Sequence, residues 1–147
     1  MTTAALIAAW ATAVVSGLAG VVGAVAWWQV RQSRAFWLLV RGAQGVAVVQ
    51  ALVAGVLAVL SFDPDSGLYW LYALLPVGIG FFAEQLRIVS TEQVLDRLGL
   101  EGSEAVRDLP EDRQRSVVVS ILRREMGVMT LAALVTCFLA IRAIETL

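Results

Sequence analysis

The chain has 147 residues, 59% hydrophobic and 16% charged, with a formal net charge of −1 and a mean hydropathy of +0.80. A soluble domain of this length carries about 25% charge, so a large water-exposed surface is excluded, as is the basic footprint of a nucleic-acid binder. There is no His, which removes the usual haem ligand and neutral-pH proton shuttle, and the single Cys137 rules out an intrachain disulfide or a Cys-x-x-Cys redox pair.

The first predicted element runs over 4–28 and contains no charge. The start, Met1-Thr-Thr-Ala-Ala-Leu, lacks a basic n-region, and the apolar run to Val30 exceeds a signal-peptide h-region. A retained span is therefore expected. Small residues recur at every fourth position: Ala4, Ala8, Thr12, Ser16, Gly20 and Ala24. At helical spacing they form a slowly winding stripe. Such stripes let backbones approach in lipid, where apolarity alone gives no reason to associate. Trp27 and Trp28 close the segment as an interfacial belt does.

A loop over 29–35 carries Arg31 and Arg34. The second span is expected over 36–62, with Arg41, Gln44 and Gln50 inside it and a small stripe of Ala43, Ala47, Ala51 and Gly55. Asp63-Pro64-Asp65-Ser66-Gly67 reads as a turn. The third span, over 68–87, begins with Tyr69, Trp70 and Tyr72, carries Pro76 near its centre, and ends on Glu84 and Arg87. Pro76 removes a backbone donor, and a kink is expected there.

An insertion over 88–125 follows. Ser90-Thr91-Glu92-Gln93 resembles a capping box that opens a short helix ended by Gly99 and Gly102. Asp108-Leu109-Pro110-Glu111 reads as a second helix start, with Asp108 as the cap. From Leu109 to Thr146 an unbroken helix is about 57 Å long, well beyond a ~30 Å hydrocarbon core. Its first third therefore belongs outside the bilayer and its last part, over 126–146, is the fourth span.

These elements make an all-α membrane protein of one domain, four helices in an up-down bundle with short cytoplasmic helices between the third and fourth spans. Nine of the eleven arginines fall in the first and third loops: Arg31 and Arg34, then Arg87, Arg97, Arg107, Arg113, Arg115, Arg123 and Arg124. The positive-inside rule places those loops in the cytoplasm and both termini outside. Basic residues that are all Arg, with abundant Ala and Val, resemble the usage of small four-helix membrane proteins of high-GC bacteria, which implies a bacterial cytoplasmic (inner) membrane.

Glu84 is the one acid clearly inside a span. A carboxylate there needs a partner. Arg41 lies at similar depth on the antiparallel neighbour, Gln44 one turn deeper, and Arg87, Arg124 and Glu125 at the same interface. These six form the candidate polar cluster; separate snorkelling of Arg41 and Glu84 to headgroup water is the alternative. Ser16, Gly20, Ala24, Ala47, Ala51 and Gly55 form the candidate packing seam, within the chain or between protomers. No residue set supplies a nucleophile with its base, or a metal site, and no cofactor is expected. Two functions remain: a non-enzymatic accessory or scaffold subunit with a membrane-protein or homo-oligomeric partner, or a small homo-oligomeric transporter or channel using Glu84. In a Cys137→Ala background, a cysteine at Ser66 is expected to label from the non-cytoplasmic side and one at Ser103 is not; the reverse pattern overturns the orientation.

Overall fold

The computed structural model describes residues 1–31, 33–100 and 102–147, with the side chains of Gly102 and Ser103 also outside the described set. The expected loop over 29–35 and insertion over 88–125 thus each contain a residue, Gln32 and Glu101, that lies outside it. The described residues form five helices: α1 (Thr2–Trp28), α2 (Arg34–Val59), α3 (Leu68–Arg97), α4 (Gly102–Arg107) and α5 (Glu111–Glu145). No strand occurs among the described residues. Four of them, α1, α2, α3 and α5, are long and apolar enough to cross a membrane, with mean hydropathies of 2.0, 1.9, 1.3 and 2.0 over their best windows.

The buried faces share one spacing. In α1 the buried set includes Ala5, Ala9, Thr12, Ser16, Ala19, Gly23 and Ala26. In α2 it is Phe36, Val40, Ala43, Ala47, Gln50, Ala54 and Leu57. In α5 it includes Met126, Met129, Ala133, Thr136, Ala140 and Ala143. Steps of three and four alternate, an average of 3.5 residues, which holds a seam on one side of a gently supercoiled helix. A strict step of four does not: it advances about 40° per step. The small-residue ladders are therefore buried through their middle turns, at Ala8, Thr12, Ser16, Gly20, Ala43 and Ala47, with Ala51 half-buried; Ala4, Ala24 and Gly55, at their ends, have rotated to the outer surface.

Along α1, small residues line the inside and large ones the outside. Ile7, Trp10, Val14, Leu18, Val21 and Val25 are exposed along α1. In water such a surface would aggregate; in lipid it is the favourable arrangement, since close backbone approach is what holds helices together there. The approach is tightest at two glycines. A Cβ at Gly20 would stand 2.9 Å from Leu134 Cγ, and one at Gly23 would collide with the Phe36 ring and the Thr130 hydroxyl.

Contacts fix the helix directions. Gly17 lies by Cys137, Gly20 by Leu134, and Gly127 by Trp27, so α1 and α5 are antiparallel. Thr12 Oγ1 reaches Val46 O at 3.5 Å while Gly23 meets Phe36, so α1 and α2 are antiparallel too. Arg142 stacks on Tyr72 and Thr91 Oγ1 donates to Glu125, giving the same relation for α3 and α5. The backbone N–H of Ser66 donates to Thr146 O, pinning the α2–α3 turn to the end of α5. α5 packs closely on both α1 and α3; α2 and α3 pack least closely of the four neighbouring pairs.

Three helices end alike. Arg31 N–H donates to Ala26 O, Phe62 N–H to Leu57 O and Leu100 N–H to Leu95 O, at 3.0, 2.9 and 3.0 Å. These bonds close Schellman turns, which need one residue in the left-handed region. Gly99 fills it at φ 67°, but Ser61 at 56° and Val30 at 49° do so at the other ends. A β-branched residue there is strained, by roughly 1–2 kcal/mol. α2 starts conventionally, with Ser33 Oγ accepting from Phe36 N–H at 3.3 Å.

Two expected helix starts are corrected. Ser90 opens nothing: α3 runs through it to Arg97. Its hydroxyl donates instead to Leu86 O at 2.7 Å and to Arg87 O at 3.0 Å, the back-bonding open to a mid-helix Ser. Asp108 is not the cap of α5 either. Pro110 occupies that position in extended geometry without a side-chain bond. Gln114 closes the turn, its Nε2 donating to Arg107 O at 2.8 Å and Leu109 O at 2.9 Å. α3 also passes unbroken through the buried Pro76.

Because Trp27 packs on Gly127, the first part of α5 and the last part of α3 extend past the level at which α1 ends. Changing Gly23 to Ala is expected to lower stability in detergent by about 1–3 kcal/mol through overpacking. Gly55→Ala, which meets nothing within 4 Å, is expected to raise it by about 0.5–1 kcal/mol through helix propensity. Thermal denaturation of the two variants checks the opposite signs.

Candidate functional site

Arg41 and Gln44 are three apart on α2 and therefore share a face. Glu84 comes to that face from α3. Arg41 Nη1 donates to Gln44 Oε1 at 2.8 Å and to Glu84 Oε1 at 2.8 Å. Gln44 Nε2 donates to the same Glu84 oxygen at 2.9 Å. The other carboxylate oxygen, Oε2, faces Arg87 Nε at 3.5 Å. Arg87 in turn lies over the Trp37 ring, 5.3 Å from its centre, a cation–π contact.

One carboxylate thus serves two guanidiniums, and the group carries a net charge of +1. It is not interior. The Arg41 side chain is 56% exposed and that of Glu84 24%. The cluster stands on the outer edge where α2 meets α3, with Arg41 about 10 Å along the helix from Arg34.

Arg124 and Glu125 do not join it. Neighbouring residues on a helix point about 100° apart, and the two diverge. Glu125 Oε1 accepts from Thr91 Oγ1 at 3.0 Å on the α3 side. Arg124 borders a depression with Trp27, Arg123 and Gly127 on the α1 side. The six residues expected to form one network therefore separate into one group of four, one pair with Thr91, and one arginine by Trp27. Trp37 and Thr91 enter as partners that residue type alone did not single out.

The interior is polar in places. Gln50 is 1% exposed, and neither atom of its amide has a protein partner among the described residues; the buried Ser16 and Thr130 hydroxyls are in the same state. Unpartnered buried amides are costly, and water is the usual remedy. A cavity of about 30 Å³ lies between α2, α3 and α5, bordered by Gln44, Ala47, Pro76, Gly80 and Thr136. That admits water but not a solute. No cluster of three or more His, Cys, Asp or Glu that could hold a metal occurs among the described residues.

Beyond the level of Trp27, the end of α3, the turn into α5 and the first turns of α5 enclose an open groove of about 340 Å³. Leu98, Leu100, Leu109 and Val117 line it, with Arg113 and two serines at its rim. Of these, Leu98 is exposed, while Val117 is buried at its base.

The geometry sets an order of effects in the charged cluster. Glu84→Gln leaves Arg41 and Arg87 facing each other without a counter-charge. Arg41→Met leaves Glu84 still served by Arg87 and Gln44. Glu84→Gln is therefore expected to cost more, and the double variant to be more stable than the two single losses imply, with a coupling of ~1 kcal/mol. Thermal unfolding of the four proteins in one detergent measures it; additivity shows that the contact carries no coupling. The chain matches no protein-family model, no curated protein and no solved structure.

Proposed function

We propose that this chain is a non-enzymatic accessory subunit of the cytoplasmic membrane of a bacterium, docking a membrane-associated partner through the helical projection formed by α3, α4 and α5. In this reading the four long helices cross in up-down order, both termini lie outside, and the projection is cytoplasmic. The antiparallel contacts of α1 with α2 and α5, and of α3 with α5, support that order. The concentration of arginines in the loops on the projection side supports the orientation.

The apolar groove of the projection carries the proposal. Leu98, exposed, and Leu100 and Leu109, half-buried, are grouped around this groove beyond the level of Trp27. Apolar surface concentrated in a concave, Arg-rimmed groove is the feature of a protein-docking site. The small-residue seams do not offer a docking surface of comparable size, since Ser16, Gly20 and Ala47 are occupied within the chain.

A homo-oligomeric transporter or channel is the second reading, favoured by Gln50, Ser16 and Thr130, whose buried polar atoms lack protein partners among the described residues. Within one chain the cavity is too small for a solute, and Glu84 sits on the outer edge. A path would therefore run between protomers.

Affinity purification in mild detergent separates the two. A foreign subunit in fixed stoichiometry is expected with the wild-type chain and is expected to be lost on Leu98→Glu, with the thermal midpoint unchanged. A lone symmetric oligomer, unaffected by Leu98→Glu, overturns the accessory reading in favour of the transporter.

A further inference from the structure

The α2–α3 edge has a second property beside its charge. Running along it from the Arg41 cluster is a shallow groove of about 250 Å³ whose apolar walls are Val48, Val77, Phe81 and Pro76. It exists because α2 and α3 are the least closely packed neighbours and because Gly80 leaves the floor without a side chain. The groove ends on Gln44 and Glu84, and therefore at Arg41.

Arg41 is only half committed. Both of its hydrogen bonds leave from Nη1. Among the described residues, Nε and Nη2 make none, and the side chain is 56% exposed. A guanidinium offers five N–H donors in a planar fork that suits phosphate. Its position, two turns inside the start of α2, lets the long side chain snorkel to headgroup level. A cation with free donors at one end of an apolar channel matches the form of an amphiphile with an anionic head.

We propose that the α2–α3 groove binds an anionic phospholipid, with the phosphate on Arg41 and an acyl chain along Val48, Val77 and Phe81. The proposal rests on the membrane reading above and adds a ligand to it. Three features select this occupant. Arg41 and Arg87 against Glu84 leave one uncompensated positive charge. The groove runs between two helices from Gln44 and Glu84 to Val48 and Pro76 and opens outward, where an acyl chain can lie. Leu52 and Leu74, exposed one turn further along the same two helices, extend the apolar surface beyond it. Gln44 and Glu84 act as positioning residues, since they hold Nη1 and so orient the free edge of the guanidinium outward.

Native mass spectrometry of the full chain, released from micelles containing equal phosphatidylglycerol and phosphatidylcholine, tests the site. One phosphatidylglycerol is expected to be retained in preference to phosphatidylcholine. Arg41→Gln is expected to reduce that preference about tenfold, the loss of one charge-assisted contact. Arg41→Lys keeps the charge and is expected to keep part of the preference, and Gly80→Leu fills the groove and is expected to lower retention of both lipids. Arg115→Gln, on the projection, serves as the control. Equal retention of the two lipids, or a preference unmoved by Arg41→Gln in a protein of unchanged thermal midpoint, overturns the site. A protein helix that co-purifies on this face and is released by Arg41→Gln overturns it in favour of a protein partner. Alkaline extraction of vesicles reports separately on the membrane reading. A chain that stays with the vesicles but shows no lipid preference sinks only the lipid site; a chain that is extracted sinks both.

Discussion

Everything in this molecule depends on how closely α1 approaches its neighbours. Between helices in lipid there is no water to expel, so apolar side chains have no reason to prefer each other over acyl chains. What remains is dispersion at short range, which falls off steeply with any gap. α1 meets this requirement with Ala, Gly, Ser and Thr at alternating steps of three and four, and with its bulky residues turned outward. Gly23, against Phe36 on one side and Thr130 on the other, joins three helices at one point. A bundle built this way holds α1, α2 and α5 tightly, while α2 and α3 close less completely.

That uneven packing determines where charge can reside. A tightly packed interior of small residues has no room for a hydrated Glu, and the one carboxylate in the spans emerges at the loosest seam. There it gathers Arg41, Gln44 and Arg87. The pair is half-exposed, so its contribution to stability is that of an edge contact rather than of a buried ion pair. Its more consequential effect is directional, because the hydrogen bonds taken by Glu84 leave the other side of Arg41 open.

Much of the fold was legible in the sequence, for physical reasons that differ from element to element. The four long helices follow from uninterrupted apolarity and from Asp63-Pro64-Asp65 as a break. That Arg41 meets Glu84 follows from counting residues inward along antiparallel helices. Other features needed the third dimension. Ser90-Thr91-Glu92-Gln93 satisfies the pattern of a helix start, yet Thr91 bonds to Glu125 of α5, and that contact favours continuing α3. In α1, nearly any spacing of small residues can be found among so many alanines, so the ladder of four hides the alternation that follows the neighbouring helix. Arg124 and Glu125 were grouped by depth, a coordinate blind to the direction in which each side chain points. Val30 carries no mark of its left-handed backbone, since the residue type argues against it.

The unequal lengths of the helices have a mechanical meaning. α1 and α2 end near the level of Trp27, whereas α3 and α5 continue past it as single helices. An unbroken helix is a stiff rod, so a displacement of its outer end is transmitted along its length. The two rods differ. α5 contains no proline, while α3 lacks one rung of its hydrogen-bond ladder at Pro76. A torque applied to the projection is therefore carried whole by α5 to Thr146 and the turn bonded to it, while α3 yields at mid-span. The softer rod borders the α2–α3 groove, and the stiffer one packs against both α1 and α3.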